Sequence, residues 1–164
     1  MGIAQTLKNF LRENAIHYDV VEHNYSEGAW NTAKAAHIPA QQLLKGVIFI
    51  DEDLYYTMAI LPASHRVRRY TLNQIFGRHL QLASEEELED LFPDCEPGAI
   101  PCLGMAYGIN TIWDDDLESF DEYWLEAGDH RHLIHISRDE LMRIMQPSMH
   151  ERFGLCTRHE GQQT

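Results

Sequence analysis

The stretch GVIFIDEDLYYTMAIL, residues 46–61, decides the fold class. Its two apolar runs, Gly46 to Asp51 and Leu54 to Leu61, flank the polar pair Glu52-Asp53. Runs this rich in β-branched and aromatic residues around a short polar break predict an antiparallel hairpin. Pro62 has no N–H to offer a ladder and ends the second strand. On the other side, Ile3 to Ala15 places Ile3, Leu7, Phe10 and Leu11 at helical spacing. His17 to Glu22 reads as a strand, Asn24 to Glu27 as a turn, and Trp30 to Ala36 as an alanine-rich helix stopped by His37-Ile38-Pro39.

Downstream, Thr71 to Phe76 is a short helix with Gly77 placed as its C-terminal cap. His79 to Ala83 is a strand. Ser84-Glu-Glu-Glu87 is a capping box that starts a helix running to about Phe92. Pro93 cannot continue that helix, and Pro93 to Gly108 forms a Pro- and Gly-rich loop, long for a plain connector. Thr111 to Trp113 is a strand, and residues 114–120 make a turn or one helical turn. Glu122 to Ala127 and His132 to Ile136 pair around Gly128-Asp129, and Ser137 caps a last helix, Arg138 to Met145. Strands and helices mixed in this way predict an α+β domain. The expected organisation is one domain over residues 1–146 and a loose C-terminal extension over 147–164, where the chain turns polar and irregular.

Composition narrows the function classes. A chain of 164 residues with 44% hydrophobic content can bury one sizeable core. Its net charge of −13 opposes extended binding to duplex nucleic acid, so no DNA partner is expected. No apolar run approaches the roughly 20 residues of a membrane helix, and no secretory signal is read at the N-terminus. Cys95, Cys102 and Cys156 have no C-x-x-C spacing, which fits a reducing, cytoplasmic setting without a thiolate zinc site.

Three features carry possible chemistry. Lys45 directly precedes the strand at 46–50, where it either holds an anionic group in a cavity or keeps its head in water at a strand edge. The loop Gly98-Ala-Ile-Pro-Cys102 could bring backbone N–H groups to a ligand, or simply connect. His130, in Gly128-Asp-His130, is either a donor or base at a site or an ordinary turn residue. Read on a strand, His130 and His132 share a face while His135 points away; no third ligand is identifiable, so no metal is assigned. No cofactor is assigned either. The basic cluster Arg66, Arg68 and Arg69, just after Leu-Pro-Ala-Ser, is the natural place for phosphate contacts or, equally, a solvated loop balancing nearby carboxylates.

The segments AHIPAQQLLKGVIFID, MAILPAS, LASEEELEDLFPDCEPGAIPCLG, YGINTIWDDDL and EAGDHRHLIHIS, dispersed over His37 to Met145, resemble in order and spacing the YbaK/prolyl-tRNA synthetase-associated family. The resemblance implies a mixed, barrel-like sheet surrounded by helices. It also implies hydrolysis of the ester of a wrongly attached small amino acid, with the aminoacylated tRNA 3′ end as substrate and an aminoacyl-tRNA synthetase as a further partner. By the same resemblance Lys45 faces the pocket and holds the tRNA 3′ end. Gly98, Ala99, Ile100, Pro101 and Cys102 surround the scissile ester, and Gly128 and His130 border the pocket. The terminal ribose hydroxyl helps position the attacking water.

The sequence departs from the family pattern in two places. Cys102 stands where proline is usual, followed by Leu103 in place of phenylalanine. Gly46 follows Lys45 in place of threonine or asparagine. Both changes bear on pocket shape. A thiol mechanism with Cys102 and His130 is a minor alternative, since a partly buried cysteine is more often a small hydrophobe. A binding module that keeps the pocket without turnover is the main rival reading.

Overall fold

The computed structural model describes residues 2–157. The predicted hairpin is present: β2 (Leu44–Ile50) and β3 (Tyr56–Pro62) pair antiparallel, with Lys45 opposite Leu61 and Ile50 opposite Tyr56. Asp51 shapes the connection by accepting from the N–H groups of Asp53 and Tyr55 at 2.8 and 3.1 Å. β3 is buried along nearly its whole length, because sheet neighbours flank it and apolar residues cover both faces.

Around the hairpin lies a five-stranded sheet in the order β5 (Gln81–Leu82), β2, β3, β6 (Asn110–Asp114), β9 (Met149–Glu151). β5 is a short edge beside β2. β6 joins β3 in parallel. A second sheet, β1-β8-β7, contains β1 (Asp19–Glu22), β7 (Glu122–Glu126) and β8 (His132–Ser137), all antiparallel. The sheets meet at one bridge, Leu43 beside Trp124, where Trp124 N–H donates to the Gln42 carbonyl at 2.9 Å. The mixed α/β single domain is as expected, but the sheet is not a closed barrel. Closure requires two edge strands long enough to pair with stagger; β5 has two residues and the opposite edge, β9, has three.

Five α-helices occupy the described residues: α1 (Gln5–Glu13), α2 (Ala29–Ala35), α3 (Arg69–Phe76), α4 (Glu85–Leu91) and α5 (Arg138–Met145). Their ends follow the sequence signals. Ser84 Oγ accepts from Glu87 N–H at 3.1 Å while Glu87 returns a bond to Ser84 N–H at 3.1 Å, satisfying two orphan donors reciprocally. Ser137 Oγ accepts from Glu140 N–H at 3.2 Å, and Gly77 closes α3 at φ 64°. Leu7 and Leu11 bury one face of α1, whose approach is fixed by Ala4 N–H donating to the Ala127 carbonyl at 2.8 Å.

The predicted loose tail is corrected over residues 149–156. β9 (Met149–Glu151) adds in parallel to β6, and β10 (Gly154–Cys156) pairs antiparallel with β4 (His65–Val67). The anchor is Asp114. Its fully buried carboxylate accepts from Phe153 and Gly154 N–H at 3.1 and 2.6 Å and from Asp116 N–H at 2.9 Å. Phe153 enters the core beside Leu61 and Leu72. The rest of the predicted extension, residues 158–164, lies outside the described residues. Among the described residues no helix is long and apolar enough to cross a membrane.

Candidate functional site

A cavity of about 250 Å³ opens where the two sheets meet. β2 contributes Lys45 and Gly46, the start of α2 contributes Ala29, the loop after α4 contributes Gly98 and Ile100, and β7 contributes Glu126. Lys45 and Gly98, far apart in the chain, are therefore brought to one cavity. Lys45 is half-buried, with Nζ 3.5 Å from the Ala63 carbonyl oxygen, and burial pulls its pKa down.

The loop is held from behind. Glu96 N–H donates to the Gly128 carbonyl at 2.8 Å and Ala99 N–H to the Glu96 carbonyl at 3.0 Å. His130 Nε2 lies 2.6 Å from the Pro97 carbonyl oxygen. A carbonyl only accepts, so Nε2 carries the hydrogen. The ring backs directly onto Gly98: a Cβ there would lie 3.3 Å from His130 Cε1, and Gly98 has φ 84°. Both facts reserve the position for glycine. His130 is buried, adopts φ 63°, and its Nδ1 has no hydrogen-bond partner. Gly128 packs on α1, where an added Cβ would meet Ala4 Cβ at 3.1 Å. Gly128 and His130 thus stand behind the loop, while Lys45, Gly98 and Ile100 face the cavity; Ala99, Pro101 and Cys102 are buried beneath it.

Burial pushes the Cys102 thiol up to about 12, which removes the thiolate a nucleophile needs at neutral pH. The two departures from the family pattern prove to be neighbours. A Cβ on Gly46 would come within 3.2 Å of Cys102 Cβ and 2.9 Å of Met58 Sδ. A larger residue at 46 therefore has to displace what packs around Cys102.

The expected shared face of His130 and His132 is not formed, because His130 belongs to the turn and β8 begins at His132. His132 Nδ1 instead pairs with Asp129 Oδ2 at 2.6 Å. Arg66, Arg68 and Arg69 are exposed around β4, which follows the Ala63 carbonyl that Lys45 approaches.

Two other places hold suggestive residues. Ser64, His65 and Asp116 form a hydrogen-bonded chain, 2.9 Å from Ser64 Oγ to His65 Nδ1 and 2.7 Å from Nε2 to Asp116 Oδ2. Ser64 is only 2% exposed, so its hydroxyl is sealed from any substrate and the chain ties β4 to the turn after β6. A larger, open depression of about 500 Å³ lies at the hairpin end of β2–β3, but contains none of the predicted residues, and its Arg78 is engaged by Asp53 and Asp51. Size alone does not make it the site.

Sequence reasoning missed Glu126. This residue lines the cavity, and its Oε2 is shut off from solvent without a hydrogen-bond partner. Burial pushes the carboxyl up to about 7, Asp129 adds to the rise, and His130 and Thr32 oppose it. The one available signal was a glutamate two residues before Gly128, on a strand whose alternate residues Tyr123 and Leu125 face the core.

The chain matches the aminoacyl-tRNA editing domain over residues 27–144 and belongs to that family. No curated protein matches it. Solved structures share its fold. One is a candidate trans-editing enzyme for prolyl-tRNA synthetase, 21% identical, with a TM-score of 0.80 over 93% of this chain and 96% of that one. The hypothetical protein APE2540, 14% identical, gives 0.81 over 92% of this chain and all of that one. A candidate signal transduction protein from Marinobacter aquaeolei, 18% identical, gives 0.72 over 92% of this chain but 30% of its own length.

Proposed function

We propose that this chain is an aminoacyl-tRNA deacylase that hydrolyses the ester of a mischarged small amino acid on the tRNA 3′ end, without metal or cofactor. The observation that carries the reading is the convergence of Lys45 and the Gly98 loop on one small cavity in a member of the editing family. A volume of about 250 Å³ falls below the roughly 300–1,000 Å³ of drug-sized ligand pockets and suits a small amino acid. An aminoacyl ester is already activated, so placing a water and stabilising the oxyanion supply much of what is needed. Ala99 N–H is committed to Glu96, and of the loop residues that line the cavity Gly98 and Ile100 have N–H groups to offer an oxyanion. The ammonium of Lys45 holds the anionic 3′ end, with Arg66, Arg68 and Arg69 as further phosphate contacts. A partner synthetase supplies discrimination between tRNAs, and the site of action is cytoplasmic.

A panel of charged tRNAs incubated with purified protein tests this reading. Release of alanine, serine, threonine or proline above the buffer rate is expected, and Lys45→Ala should lower turnover by about 100-fold while the fold persists. Hydrolysis of no member of the panel rejects the enzyme. Binding of a non-hydrolysable aminoacyl analogue without turnover identifies a sensing module instead. With net charge −13, few phosphates are contacted, so a salt series should show a slope corresponding to about one to three contacts.

A further inference from the structure

Glu126 has no place in the proposed role of Lys45 or of the loop, yet it occupies the same cavity. β7 carries it there, on the face opposite Tyr123 and Leu125. One of its oxygens is sealed from water with no donor to meet it. A buried carboxyl with an open hydrogen-bonding position is costly unless something else completes it. Lys45 of β2 lines the same cavity, and the groups acting on the carboxyl are the Thr32 hydroxyl of α2, the Cys102 thiol of the loop, and Asp129 and His130 of the β7–β8 turn.

We propose that Glu126 is the proton acceptor for the attacking water in this cavity, an assignment that rests on the deacylase reading above. As the water oxygen bonds to the ester carbonyl carbon, Glu126 takes a water proton, and the carbonyl π electrons move onto oxygen, toward the loop N–H groups. When the tetrahedral centre collapses, the bond from carbon to the ribose oxygen breaks. That oxygen recovers the proton from Glu126, releasing the free amino acid and the ribose hydroxyl and regenerating the carboxylate.

Two observations favour a base over an anchor for the substrate's ammonium group. Lys45 already lines the same cavity with a cation, and a second cation held there is repelled. The proton affinity of Glu126, raised by burial to about 7, also lies close to that of an efficient general base at neutral pH, whereas an anchor is best fully ionised. The Cys102 thiol, pushed up to about 12, does not compete for the role.

The test measures kcat and KM for wild-type protein and Glu126→Gln from pH 5.5 to 9, on the aminoacyl-tRNA that wild-type hydrolyses fastest, with buffer hydrolysis subtracted. Wild-type kcat should rise with pH and level off above about 7, as the base ionises. Glu126→Gln should lose at least about 100-fold in kcat with little change in KM, and lose the bend in the profile. Hydroxylamine, which attacks esters with less need of a base, should narrow the gap between the two proteins to about 10-fold or less. A Glu126→Gln protein with wild-type kcat and an unchanged bend overturns the assignment and leaves the deacylase reading standing. So does a rise confined to KM, which marks an ammonium anchor. A wild-type protein inactive on the whole panel removes both. Should Glu126→Gln fail to fold, Glu126→Asp decides: reduced kcat with a displaced bend supports the base, and wild-type kcat and bend reject it.

Discussion

Among the carboxylates drawn out of solvent, Asp114 and Glu126 have completely different surroundings. Asp114, at the end of β6, accepts from three backbone N–H groups, those of Asp116, Phe153 and Gly154. Glu126, at the end of β7, keeps an oxygen with no partner at all. Each ends a strand directly after a buried apolar residue, Trp113 or Leu125, so the preceding strand does not distinguish them. The difference lies in what approaches. At Asp114 the returning tail brings N–H groups and consumes the charge in structure. At Glu126 the approaching groups are a lysine, a loop and a cavity, and the charge is left for a ligand. A buried polar group that is fully satisfied is a structural device, and one that is not marks a place for something else to bind.

The largest expected effect comes from breaking the satisfied side. Asp114→Ala strands three N–H groups in the core, and should cost about 3 kcal/mol or more and release the 149–156 strands. Urea denaturation measures the loss, and amide exchange at Phe153 and Gly154 shows the release. An unchanged midpoint would mean that Asp114 is not the tail's anchor.

Glu126→Gln sharpens the other side. The folded-state pKa, near 7, lies above the ordinary 4.5, so the folded protein retains a proton that the unfolded chain gives up over that interval. Wild-type stability from this group is intact below about 4.5 and is lost as pH rises to about 7. Glu126→Gln should therefore match wild type near pH 4.5 and exceed it by about 3 kcal/mol at pH 8. Urea midpoints at the two pH values give the comparison; equal gaps at both would show that the carboxyl is not strained by burial.

A smaller effect probes the crowded wall between the two sheets. Gly46→Ala places a Cβ 2.9 Å from Met58 Sδ and 3.2 Å from Cys102 Cβ. It should cost about 1–2 kcal/mol and shift the preference among small amino acids, read by denaturation and by the charged-tRNA panel. The smallest effect belongs to Cys102 itself. With its thiol pushed up to about 12, Cys102→Ser should retain activity within about threefold. Maleimide labelling of the native protein should reach the exposed Cys156 well before the buried Cys102. A folded but inactive Cys102→Ser protein that traps an acyl-enzyme would restore the thiol mechanism.

What was legible in the sequence shares one property: its determinants are close together along the chain. The β2–β3 hairpin follows from two apolar runs around Glu52-Asp53, and the start of α4 from Ser84 and Glu87. The β7–β8 pair needs only the turn at Gly128-Asp129. Pairings between distant segments were not legible. The parallel ladders of β6 with β3 and β9, and the docking of β10 on β4, join short runs with no period of their own. A three-residue polar strand gains its stability from a partner supplied elsewhere, so the tail reads as loose until Asp114 is seen to hold it.

The same division runs through the cavity. The sequence by itself determined that a lysine leads into a buried strand and that a glycine- and proline-rich loop follows a capped helix; resemblance to a known family supplied their pairing. Glu126 was beyond either kind of reading. Along β7 it occupies the face that ordinarily meets water, and nothing in its neighbours says otherwise. Only the tertiary structure decided its environment: the Leu43–Trp124 bridge brings β2 alongside β7, and α2 and the Gly98 loop cover the face they share. The proton affinity of a carboxyl depends on what excludes water from it, and here those groups come from residues 28–46 and 88–100, far from position 126 in the chain.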